Sequence, residues 1–114
     1  MSDYPTCTWP GSSGKKYEFS ILPLDFDFPE NQNGNYIFAK IVNNAWHAVY
    51  IGEGDLTERT KFRIEDGCVI RKKATHIHAH LNPDKASRKA EEKDLLDGNS
   101  ESYTSVGCNI KEGG

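Results

Sequence analysis

Tyr36-Ile37-Phe38-Ala39-Lys40-Ile41-Val42-Asn43-Asn44-Ala45-Trp46-His47-Ala48-Val49-Tyr50-Ile51-Gly52 is the stretch that decides the fold of this chain. Two runs of β-branched and aromatic residues flank an Asn-Asn pair. Asparagine tolerates the left-handed backbone that a tight hairpin turn requires. The reading is a β-hairpin, with one strand over 36–42 and its antiparallel partner over 46–51, stopped by Gly52. In such a hairpin the start of the first strand meets the end of the second, so Tyr36 and Tyr50 are expected side by side. The bland alternative is that both are half-buried packing residues.

On the C-terminal side, Asp55 reads as an N-cap for a helix over 56–62, with Glu58 in its first turn and Glu65-Asp66-Gly67 ending it. Val69 to Lys73 suggests a second short helix. Thr75 to Leu81 alternates strictly and predicts a third strand, with His76, His78 and His80 on one face and Ile77, Ala79 and Leu81 on the other. Asn82-Pro83-Asp84 starts a last helix over 85–96, and Gly98 stops it. On the N-terminal side, Asn31 to Gly34 reads as a turn, 22–30 as an irregular connection and 16–21 as a short strand. The first 14 residues, ending in Pro10-Gly11-Ser12-Ser13-Gly14, read as a mobile leader. The division expected is a leader with a short strand over 1–30, a domain over 31–110 and a tail over 111–114. This order of elements makes an α+β protein, a small sheet covered by helices.

Composition narrows the function classes. The 114 residues are 36% hydrophobic and 27% charged, enough for one modest core. The net charge of −3 disfavours a general nucleic-acid coat protein. The basic residues are clustered, however: Arg59, Lys61, Arg63, Arg71, Lys72 and Lys73 face only Glu65 and Asp66 between them in sequence. That suits a polyanion bound at one place, although a solvated helix face has the same composition. Cys7, Cys68 and Cys108 are odd in number and far apart. They argue against a disulfide scaffold and for a reducing cytoplasm. No secretory start and no membrane-crossing run is read.

Several residue types in this frame carry chemistry. Arg59 lies one turn into the first helix, just past the second strand, where a guanidinium reaches the strand end and can grip phosphate as a fork. Glu92 lies three and four residues before Leu95 and Leu96, on the apolar side of the last helix, where a carboxylate needs a metal or an arginine. Glu91 and Lys93 are expected in solvent. His76, His78 and His80 have the spacing of strand-borne zinc ligands, but no second ligand cluster follows them in sequence. The preferred reading is a polar strand face under a helix or at an edge.

Taken in order, these residues resemble the GIY-YIG nuclease superfamily, in particular its small single-domain bacterial members. The match runs through Gly34-Asn35-Tyr36, Tyr50-Ile51-Gly52, Leu56-x-x-Arg59, Glu92-x-x-Leu95-Leu96 and Gly107-Cys108-Asn109, about residues 34–109. The resemblance implies a small three-stranded antiparallel sheet flanked by helices, here with an extra N-terminal strand or arm. It implies hydrolysis of a DNA phosphodiester with one Mg²⁺ or Mn²⁺ ion. Tyr36 would help deprotonate the attacking water, Tyr50 orient the same group, Arg59 bind the scissile phosphate and Glu92 hold the metal. Asn109 would tie the chain end back to the site, while Lys61, Arg63, Arg71, Lys72 and Lys73 would contact DNA.

The sequence departs from the family pattern in places. Asn35 stands where an aliphatic residue is usual, and Arg63 where many members carry histidine. The interval from Gly52 to Arg59 is one residue short, and the interval from Leu96 to Asn109 is long. No second domain is read, so weak DNA affinity and a protein partner supplying specificity are expected, with no membrane role. The competing expectation is a catalytically weak or inactive binding module of the same fold, acting within a complex through its acidic N-terminal half.

Overall fold

Asn43 and Asn44 both adopt positive φ, 51° and 65°, so the hairpin closes where the Asn-Asn pair stands. Its strands are β3 (Asn33–Val42) and β4 (Ala45–Asp55), paired antiparallel from Asn33↔Asp55 to Val42↔Ala45. Asn33 and Gly34, read as part of a turn, are the first residues of β3. The structure is a computed structural model that describes Met1 and residues 3–110; the expected tail over 111–114 lies outside the described residues.

β5 (His76–Leu81) pairs with the other edge of β3, from Gly34↔Leu81 to Ala39↔His76. These three strands are the ones expected, in the spatial order β5-β3-β4. The sheet continues beyond them. β2 (Lys16–Pro23) pairs with β5, and β1 (Thr6–Pro10) pairs with β2, giving the order β1-β2-β5-β3-β4 with every pair antiparallel. The sheet is therefore five-stranded, and the three-stranded expectation is corrected. The physical reason is the free edge of β5, whose unpaired N–H and C=O groups β2 satisfies. Residues 6–10, read as mobile leader, are strand β1, and residues 1–30 bring Trp9, Phe19 and Leu22 into the core.

Both faces of the sheet are covered. On one, Tyr36, Phe38, Ile77 and Ala79 pack beneath Leu56 of α1 (Leu56–Asp66) and Val69 of α2 (Cys68–Arg71). On the other, Phe19, Ile37, Ala39 and Ile51 pack with Trp9 beneath Leu95 of α3 (Lys85–Gly98). α1 starts as read: the Asp55 carboxylate accepts from Glu58 N at 2.9 Å. It runs past Phe62 to Asp66 and is closed by Gly67 in the left-handed region. α3 is capped by the Asp84 carboxylate accepting from Ser87 N at 2.8 Å.

Cys68 and Cys108 form a disulfide, with Cα atoms 6.0 Å apart. The cysteine spacing argues against a disulfide scaffold, and this one bond forms nonetheless; Cys7 is free. Forty residues separate the pair, and only the fold brings them together. No helix among the described residues is long and apolar enough to cross a membrane.

Candidate functional site

The site is built from the hairpin outward. The ladder places Tyr36 opposite Gly52, and a register shift between Phe38 and Ala39 leaves Val49 as an extra residue in β4. This bulge turns Val49 and Tyr50 toward the core face that also carries Tyr36 and Phe38. The Tyr36 and Tyr50 rings lie 6.1 Å apart at 24°. Gly52 is required by this packing: a Cβ there would stand 2.5 Å from the Tyr36 phenol oxygen.

α1 begins immediately after β4, so Arg59 and Arg63, one turn apart, lean back over the strand end. The Arg59 side chain passes over Gly54, close enough that a Cβ on Gly54 would be 3.2 Å from its Cγ. The Arg63 guanidinium carbon sits 4.2 Å above the Tyr50 ring and 5.1 Å from the Phe62 ring. From the chain end, Asn109 Oδ1 accepts from Ile51 N at 2.8 Å and its Nδ2 donates to Ile51 O at 2.9 Å. Cys108 N donates to Val49 O at 2.7 Å, so the terminal segment is laced along the outer edge of β4.

These elements enclose a cleft of about 500 Å³, lined by Tyr50, Arg63, Glu92, Lys93, Asp97 and Asn109 among others. Tyr36 is buried one ring behind Tyr50 and lies outside the cleft lining. Arg59 also lies outside it, but its charge reaches both phenols. Burial raises the Tyr36 phenol well above its ordinary range and Tyr50 adds to this; Arg63 and Arg59 pull it down. Tyr50 is likewise raised by burial, Glu92 pushing it up while Arg63, a hydrogen bond from Tyr36 and Arg59 pull it down. Both tyrosines are therefore neutral phenols at neutral pH, within the field of two arginines and one glutamate.

The structure thus brings Tyr36, Tyr50, Arg59, Arg63, Glu92 and Asn109 to one place. Lys61, Arg71, Lys72 and Lys73 do not line the cleft. Lys72 is used structurally: its ammonium donates to Ser105 O, and its carbonyl accepts from Lys40 Nζ.

Glu91, expected in solvent, is 7% exposed, and its carboxylate meets His80 Nε2 at 2.7 Å. Arg88, Glu91 and Leu95 follow the helical period and all face the sheet, a pattern that could have been read from the leucines. Sequence reasoning also missed Glu53 and Arg88, a buried pair at 3.0 Å. Arg88 further donates to the Asn82 and Pro83 carbonyls, and the Asn35 amide donates to Arg88 O at 3.0 Å. This knot locks the N-terminal turns of α3 to the hairpin one turn before Glu92, and Asn35, at the aliphatic position of the family pattern, is part of it.

The three strand histidines have separate partners. His76 Nδ1 meets Thr75 Oγ1, His78 Nδ1 accepts from Trp9 Nε1 at 2.9 Å, and His80 Nδ1 meets Glu18 O. Among the described residues, no group of three or more His, Cys, Asp or Glu is placed to hold a metal ion; a site built on one carboxylate is a different case.

The chain matches no family model, no curated protein and no solved structure.

Proposed function

We propose that this chain is a GIY-YIG-type enzyme that hydrolyses a DNA phosphodiester with the help of one divalent cation. The observation that carries this reading is the convergence of Tyr50, Arg63, Glu92 and Asn109 on one cleft, with Tyr36 buried behind Tyr50 and the exposed Arg59 over Gly54, its charge reaching both phenols. Five separate segments, β3, β4, α1, α3 and the terminal stretch, supply these residues, and a surface of unrelated function has no need of that convergence.

The donor chemistry of the cleft fits Mg²⁺ or Mn²⁺. Glu92 offers a hard carboxylate, and a site built on one carboxylate leaves most of the coordination to water and substrate phosphate. When bound, the cation supplies Lewis-acid stabilisation of the leaving oxygen. The remaining work falls to this chain's own groups. Tyr50, open to the cleft, orients the attacking water, and the phenolate form of the Tyr50–Tyr36 pair takes up the water's proton and returns to phenol. Arg59 and Arg63 clamp the scissile phosphate and offset the charge that grows on it. Asn109 holds the end of β4 in place through its paired bonds to Ile51.

The test is cleavage of a panel of nicked, branched and single-stranded DNA in Mg²⁺ and Mn²⁺, with Glu92→Gln and Arg59→Ala beside the wild type. Metal-dependent cleavage lost in both variants is expected. A folded wild type that cleaves nothing across the panel would leave the cleft as a binding surface. Its position within a complex, through the acidic N-terminal half, would then be the better account. The cytoplasmic location proposed from the cysteines loses its support now that Cys68 and Cys108 are paired, because such bonds persist mainly in oxidising compartments.

A further inference from the structure

Phe62 is 54% exposed and belongs to neither packed core. Taken singly, an exposed phenylalanine means little. Its neighbours give it meaning. On α1, Arg59, Phe62 and Arg63 stand at i, i+3 and i+4, one continuous face of the helix. The Arg63 guanidinium lies between two rings, 4.2 Å from the Tyr50 centroid and 5.1 Å from that of Phe62. A guanidinium held in this way keeps its planar fork in place. Phe62 is thus the outermost member of a stack that leads inward through Arg63 and Tyr50 to Tyr36.

Resting on the phosphodiester reading above, we propose that Phe62 is a stacking platform for an unpaired base next to the phosphate held by Arg59 and Arg63. The substrate class that follows is DNA with a single-stranded nucleotide at the cut, such as a flap, a gap edge or a single strand. A cationic fork beside an exposed aromatic ring is the chemistry by which proteins hold single strands, because the ring takes the base and the arginines take the backbone. In an intact duplex both faces of every internal base are already stacked, so the ring gains nothing there. The net charge of −3 agrees with this. Long duplex DNA would call for an extended basic surface.

The experiment is equilibrium binding at low salt, in EDTA so that no cleavage intervenes. The probe is a single-stranded oligonucleotide carrying one 2-aminopurine, compared with the same sequence fully paired. Wild-type protein should bind the single strand more tightly than the duplex and quench the probe. Phe62→Ala should weaken single-strand binding roughly tenfold and leave duplex binding within about twofold. Phe62→Trp should restore both affinity and quenching. An equal or greater affinity for duplex, an unchanged single-strand affinity in Phe62→Ala, or no DNA binding at all would each overturn the proposal. Cleavage in Mg²⁺ is read separately. Phe62-dependent single-strand binding without cleavage would sink the nuclease reading and keep this one, and Phe62-independent cleavage would do the reverse.

Discussion

Gly52 stands directly opposite Tyr36 in the β3–β4 ladder, and the phenol of Tyr36 occupies the space that any other residue at 52 would fill. A Cβ there would lie 2.5 Å from both the phenol oxygen and its ring carbon, and Tyr36 is only 1% exposed, so the ring has nowhere to retreat. Gly52→Ala should therefore destabilise the fold by about 1–3 kcal/mol, the usual cost of overpacking a well-filled core. Denaturant unfolding measures it. In a double-mutant cycle with Tyr36→Leu the penalty should shrink, since the two residues compete for one space. Strict additivity would show that the glycine is needed for its backbone alone.

Proton release through the phenol pair sets the pH dependence of any cleavage. The competent form is the one able to take the water's proton, the phenolate, and burial holds both phenols above their ordinary range. The competent fraction therefore grows with pH across the whole neutral region. The single-turnover rate should rise close to tenfold per pH unit from about 6 to about 9, without a plateau. Tyr50→Phe should slow the reaction by roughly 10²–10⁴-fold while leaving the fold intact. A bell-shaped profile peaking at neutrality would assign the base to another group.

The Cys68–Cys108 bond ties the segment bearing Asn109 to α2, across 40 residues of chain. Opening a loop of that length should cost about 4 kcal/mol of stability by chain entropy. Cys108→Ser, or a dithiol reductant on the wild type, should lower the unfolding midpoint to the same extent. Amide exchange at Ile51 should accelerate in step, because its N–H is held by Asn109 Oδ1. If exchange at Ile51 stays slow while the midpoint falls, the hydrogen bonds of Asn109 hold the strap without the disulfide.

His78 is fully buried, and its Nδ1 accepts from Trp9 Nε1, so the proton belongs on Nε2. Burial lowers its pKa to about 4, with His76 adding to the effect. The unfolded chain, with an ordinary histidine, binds a proton below about 6.5 that the folded protein refuses until about pH 4. Stability should thus fall as pH drops through that window, by up to about 3 kcal/mol. His80 works in the opposite sense. Burial opposes its charge, but the Glu91 carboxylate and the Glu18 carbonyl more than offset this and raise its pKa. Its contribution is full below about 6.5 and fades as pH climbs through the raised value. Comparing unfolding free energies at acid and neutral pH for the wild type and His78→Gln separates the two. The variant should lose most of the acid-side slope, and an unchanged slope would place the titration elsewhere.

What the sequence determined by itself is what short-range chemistry controls. Asn43-Asn44 closes the hairpin because both backbones accept positive φ. Asp55 and Asp84 start α1 and α3 because a carboxylate at the cap takes a free N–H three residues on. Antiparallel pairing around that turn brings the end of β4 to the start of β3, but regular pairing alone would set Tyr36 opposite Ile51 with Tyr50 on the other face. The tertiary structure alone decided what depends on register between distant segments. The free edge of β5 recruited β2 and then β1, because backbone groups there had to be paired, and no local pattern in 1–30 announces that partner. The bulge at Val49 set which way Tyr50 turns. Glu91 rather than Glu92 was drawn under α3 because His80 waits on the sheet below it, and Cys68 found Cys108 only when the terminal segment was laced along β4. Those pairings are settled by packing and hydrogen-bond satisfaction over the whole sheet, which a reading of neighbouring residues does not contain.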